Sequence, residues 1–131
     1  MKNLDDPFHV SLKEIERLAG GAKIIVVDLH AEATSKKQAL GIYLDGKVSA
    51  VIGTHTHAQT ADETILPGGT AYISDIGMTG PLDSVIGIKK EVAIKRFLTQ
   101  RSERFVVDRG GSQVSRGSAR DCSEDREGGK Y

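Results

Sequence analysis

A single cysteine, no tryptophan and an aromatic content of 5% are the sparsest features of this 131-residue chain. The one cysteine, Cys122, excludes an internal disulfide framework and fits a reducing compartment. It stands in a polar stretch and is no candidate nucleophile or ligand. Neither sign of charge is in excess, with 18 basic and 18 acidic residues. Such a chain has no long-range attraction to nucleic acid or an anionic membrane, so specific nucleic-acid binding is not expected. The start, MKNLDDPFH, lacks the apolar run of a signal peptide or membrane span. These absences predict a soluble, cytoplasmic protein with no membrane partner. Hydrophobic residues make up 38%, leaner than an average domain.

What is present is an alternation of helical and strand patterns. Leu12, Ile15, Leu18 and Ala19 fall at helical spacing, with Ser11 and Glu14 placed as a capping box and Gly20-Gly21 as a stop. The β-branched run KIIVVDLH (23–30) predicts a strand buried on both faces. Ala39, Leu40, Tyr43 and Leu44 make the stripe of a second helix, ended by Asp45-Gly46. KVSAVIG (47–53) and TAYISDIG (70–77) predict two more strands, with a turn at Pro67-Gly68-Gly69 between them. Residues 89–99 predict a third helix, whose Lys89, Lys90, Lys95, Arg96 and Arg101 form a solvated face, and RFVV (104–107) a last strand. From Asp108 to Tyr131 there are ten charged residues and five glycines and few apolar side chains. Such a stretch buries too little to offset the entropy of ordering, so the division predicted is an ordered portion, 1–107, and a disordered polar tail, 108–131.

Three of the four histidines stand at the C-terminal ends of predicted buried strands. His30 ends KIIVVDLH, and His55 and His57 follow VSAVIGT. Carboxyl ends of parallel strands are where α/β proteins bind ligands. Residues two apart on extended backbone point the same way, which would aim His55 and His57 at one place with Thr54 and Thr56 turned away. Three imidazoles suit Zn, Fe, Mn or Cu. Asp28 shares a strand face with His30 and is a candidate hydrogen-bond acceptor behind the histidines, or a further ligand. Ordinary surface histidines are the competing reading, and it is weakened by three falling at strand ends together. Glu32 and Asp62-Glu63 are open between partner and surface roles, and His9 has no such placement. Gly77-Met-Thr-Gly80 reads as a turn rather than a phosphate cradle. His-Thr-His-Ala is similar to the His-x-Thr element of metal-free two-histidine phosphoesterases, but His30-Ala-Glu-Ala lacks the required second threonine.

The string from Asp28 to Gly87, with GTHTHAQTADE and DIGMTGPLDSVIG inside it, closely resembles the C-terminal half of the YmdB-like metallophosphoesterases. These are bacterial 2′,3′-cyclic-nucleotide 2′-phosphodiesterases. The resemblance implies an α/β fold, a partial calcineurin-like metallophosphoesterase sandwich with helices packed on a mixed β-sheet. It implies that His30, His55 and His57 are metal ligands, with Fe or Mn as the metal and Mg or Zn as further candidates. It implies a small cyclic nucleotide or similar phosphodiester as substrate, attacked by a metal-activated water.

By the same resemblance the N-terminal half of the family fold is absent, and with it the other ligands and the acid that protonates the leaving group. No catalytic residue beyond the ligands is therefore expected in this chain. A complementing N-terminal chain or homo-oligomerisation through an uncovered apolar sheet face is the expected partner. The alternative is a non-catalytic remnant that oligomerises and holds at most one metal. Where the family continues into further strands after Val107, the chain here is charged and glycine-rich.

Overall fold

The computed structural model describes residues 5 to 114; the remainder of the polar tail, 115 to 131, lies outside the described residues. Helix α1 spans Pro7–Leu18 and starts at Asp6, whose carboxylate accepts a hydrogen bond from the Phe8 N–H. Pro7 follows in the first turn, where a missing N–H costs nothing. The cap expected at Ser11 is displaced by this stronger Asp-Pro signal, and the Ser11 hydroxyl donates to the Pro7 carbonyl within the helix. The longer helix brings Phe8 and Leu12 onto the core beside Ile15.

Strand β1 (Val26–His30) and strand β2 (Ala50–Thr54) run parallel, with His30 opposite Thr54. Parallel neighbours need a crossover, and helix α2 (Thr34–Tyr43) supplies it. Strand β3 (Thr64–Ile65) is antiparallel to strand β4 (Ala71–Ile73), which lies parallel to β2. The sheet is therefore mixed, in the order β1-β2-β4-β3. Ile15, Leu40, Leu44, Val48, Val51 and Tyr72 form the core between the helices and the sheet. Tyr72 lies so close to α2 that a Cβ at Gly41 would come within 2.6 Å of its ring.

Two strand expectations within this sheet need correction. β1 has one open face, with Val26, Asp28 and His30 exposed while Val27 and Leu29 on the other face are half-buried; it is also an edge strand and is not covered on both faces. β4 stops at Ile73 because Ser74 and Asp75 leave the ladder to bind the preceding loop. The Ser74 N–H donates to Asp62 and the Asp75 N–H to the Thr60 hydroxyl.

After β4 come short pieces: β5 (Gly80–Pro81), β6 (Ser84–Val85), β7 (Ile88–Lys89), helix α3 (Lys90–Thr99) and β8 (Ser112–Gln113). β6 and β7 form a hairpin across Ile86 and Gly87, both at positive φ, as a tight primed turn demands. The expected strand at 104–107 is reduced to one bridge between Val107 and Ile88. β8 lies within the polar tail and pairs with β5. The fold is mixed α/β, with three helices among the described residues. No helix among them is long and apolar enough to cross a membrane.

Candidate functional site

The ends of β1 and β2 carry the candidate residues to one edge of the sheet. His30 closes β1, and His55 is the first residue beyond β2. Because His30 is opposite Thr54 in the parallel register, the two rings meet edge to face with centroids 4.9 Å apart. His30 Nε2 lies 3.1 Å from His55 Nδ1.

The surrounding acceptors assign the ring protons. The Thr54 hydroxyl donates to Asp28 Oδ1 at 3.0 Å, and it has only one proton to give. Toward His30 Nδ1, 3.1 Å away, the Thr54 oxygen can then only accept, so Nδ1 carries hydrogen. On the other ring, His55 Nε2 sits 2.7 Å from Glu32 Oε2 and must donate to that carboxylate. In neutral imidazoles both protons are now placed. That leaves His30 Nε2 and His55 Nδ1, 3.1 Å apart, both without a proton when the rings are neutral, and a shared proton or a metal cation between them relieves the repulsion. Two imine nitrogens in this state are the donor chemistry that a transition metal takes. His30 and His55 therefore fit the ion that the family resemblance implies.

Asp28 accepts from the Thr54 hydroxyl, and it is Thr54, not Asp28, that meets His30 Nδ1. Thr54 was expected to face away and instead is the link between them. Glu32, undecided from sequence, bonds His55 while remaining 88% exposed.

His57 is not brought to the same point. The backbone after Thr54 is not extended: His55 has φ 129° and His57 φ 66°, so the two-residue alternation of a strand does not continue. His57 lines an open recess of about 290 Å³ with Met78, Leu82 and Ile86. Among the described residues no three His, Cys, Asp or Glu side chains are grouped to hold one ion, so the three histidines do not make such a group as they stand.

Under this loop lies a feature that the sequence reading did not single out. Lys37 Nζ pairs with Asp75 Oδ2 at 3.0 Å, and the two side chains are 2% and 1% exposed. Asp75 also accepts the N–H groups of Thr56 and Gly77, each at 2.8 Å. Burial would raise the Asp75 pKa, but these amides and the Lys37 ammonium outweigh it and hold the carboxyl far below the usual range. Lys37, Leu40, Gly41 and Leu44 share one helical face, and that face is buried. Gly77, its amide given to Asp75, behaves as a turn residue.

The family described as YmdB-like protein matches residues 1–127. A 2′,3′-cyclic-nucleotide 2′-phosphodiesterase of Bacillus subtilis is 56% identical over 115 residues, 86% of this chain and 42% of the relative. A crystal structure of a hypothetical protein from Thermus thermophilus superposes with a TM-score of 0.72 at 47% identity, over 86% of this chain and 44% of that one. A novel phosphatase from Mycoplasma pneumoniae does so with a TM-score of 0.72 at 41% identity, over 84% of this chain and 39% of that one. The chain thus spans under half the length of each of these proteins, and along most of its own length it belongs to the YmdB-like family.

Proposed function

We propose that this chain is the histidine-bearing portion of a metal-dependent phosphodiesterase acting on 2′,3′-cyclic nucleotides or similar small phosphodiesters. The observation that carries the reading is the pair of imine nitrogens, His30 Nε2 and His55 Nδ1, 3.1 Å apart at the carboxyl end of a parallel strand pair. Fe or Mn is the expected ion, with Mg or Zn as further candidates, held by His30 and His55, with His57 as the third candidate ligand. What such an ion supplies is a lowered pKa for the attacking water and charge opposite the phosphoryl oxygens.

The chain's own residues do the holding. Asp28 fixes the Thr54 hydroxyl, and Thr54 fixes the His30 ring with Nε2 free to bind. Glu32 fixes the His55 ring by taking the Nε2 proton. Orientation of this kind raises ligand basicity and sets the tautomer before any ion arrives. The remaining ligands and the leaving-group acid come, on this reading, from a complementing N-terminal segment.

The test is hydrolysis of bis-p-nitrophenyl phosphate with added manganese. The chain is assayed alone and after mixing with the N-terminal portion of the Bacillus subtilis relative. Turnover only in the mixture, lost with His55→Ala, is the expected result. No turnover in the mixture, although the two pieces associate, would count against the reading.

A further inference from the structure

We propose that Lys37 and Asp75 are a buried positioning pair that anchors the chain at Thr56 in the shape that presents the His55 imidazole beside His30 for a metal ion. The inference rests on the metal-holding reading of that site and adds two residues outside the ligand set.

Lys37 leaves the buried face of α2 and passes β2 at Gly53. A Cβ at Gly53 would lie 2.8 Å from Lys37 Cδ and 1.8 Å from the Ser74 carbonyl oxygen, so a glycine is what lets the lysine through. The ammonium ends on Asp75 Oδ2, and that same oxygen also accepts the Thr56 N–H. Asp75 Oδ1 accepts the Gly77 N–H, which ties the following loop to the same carboxylate.

Thr56 is the residue between His55 and His57, and those two hold φ 129° and 66°. Residues other than glycine seldom adopt such values, and they persist only where the surroundings over-determine them. The one backbone N–H between the two strained histidines is anchored to a buried carboxylate whose charge is balanced by Lys37. Stability alone does not account for the pair, since buried ion pairs can often be exchanged for apolar residues at no loss. A fixed anchor for the ligand loop does.

The double variant Lys37→Met with Asp75→Asn keeps the aliphatic stem past Gly53 and leaves no uncompensated buried charge. The amide that replaces the Asp75 carboxylate has one carbonyl oxygen in place of two acceptor oxygens. It cannot accept from Thr56 and Gly77 together in the same geometry. In the full 131-residue chain, amide hydrogen exchange and Mn²⁺ binding by calorimetry are measured on both proteins. We expect a folded variant in which Thr56 exchanges at least about tenfold faster and Mn²⁺ binds about ten- to 100-fold more weakly. A folded variant with the wild-type Thr56 exchange rate and Mn²⁺ affinity overturns the proposal. Faster Thr56 exchange with Mn²⁺ bound by neither protein supports the anchoring and removes the metal reading beneath it. Should the variant not fold, exchange in the wild type decides. Thr56 protected as strongly as the β2 amides supports the anchor, and Thr56 exchanging like an open loop overturns it.

Discussion

His30 Nε2 and His55 Nδ1 face each other across 3.1 Å, each with its other ring nitrogen committed to an oxygen partner. Two neighbouring strand ends and two acidic residues produce this arrangement. Asp28 acts one step removed, through Thr54, and Glu32 acts directly. A site of this kind is set by who owns each proton as much as by where the rings lie.

Thr54→Val removes the hydroxyl that joins Asp28 to His30 while keeping a branched side chain in β2. Mn²⁺ affinity is expected to fall about ten- to 100-fold, the usual cost of losing a partner behind a metal ligand. Thermal stability should change little, because Thr54 is only half-buried. Calorimetry and a melting curve on the same sample check both halves.

Metal affinity should also fall steadily as the solution is acidified, because protons compete for the same imidazole nitrogens. Binding titrations between about pH 8 and roughly pH 5.5 read this directly, and proton release on binding in two buffers of different ionisation enthalpy gives an independent check. A pH-independent affinity would exclude histidine ligation.

Gly53→Ala places a methyl group 1.8 Å from the Ser74 carbonyl oxygen, backbone that cannot rotate away. β2 and the chain after β4 must separate, and we expect a loss of about 2 kcal/mol or more, toward the upper range for overpacking. Urea denaturation reads it. A loss below about 0.5 kcal/mol, well under the usual overpacking cost, would show that the strand accommodates the methyl group and that Gly53 is not needed for the Lys37 passage.

How far the sequence could be read differs between these features. The strand-end histidines were legible because β-branched runs locate parallel strands well, and the His30 and His55 contact follows from that placement. The His57 position was not, since the positive φ at His55 and His57 breaks a two-residue alternation that sequence gives no reason to abandon. β1 read as a doubly covered strand because VVDL has the composition of one; its edge position depends on which strands are its neighbours, a non-local matter. The helix starts at Asp6 rather than Ser11 because Asp-Pro supplies both a side-chain acceptor and a first-turn proline, a signal that the Ser11–Glu14 spacing does not carry. Lys37 and Asp75 lie 38 residues apart, and a lysine between apolar helix positions reads as solvated until its partner is known.

Acid should destabilise the fold through Asp75. Its carboxyl is held below the ordinary value of 3.8, so the folded state favours the ionised form. A carboxylate lowered on folding contributes in full above its unfolded pKa and loses that contribution as pH falls through the folded one. Stability should therefore be flat above about pH 5 and decline below about pH 4, with part of the decline belonging to this group. Urea midpoints at several pH values, compared with the Lys37→Met, Asp75→Asn variant, isolate it: the variant should show a shallower decline in acid.

The most direct measurement is the metal content of the purified chain and of its His55→Ala variant, by elemental analysis under reducing conditions after loading with manganese or iron. Close to one equivalent is expected in the wild type and a loss of most of it in the variant, with the fold unchanged. Equal metal in both proteins, or none in either, would contradict the assignment of His30 and His55 as ligands.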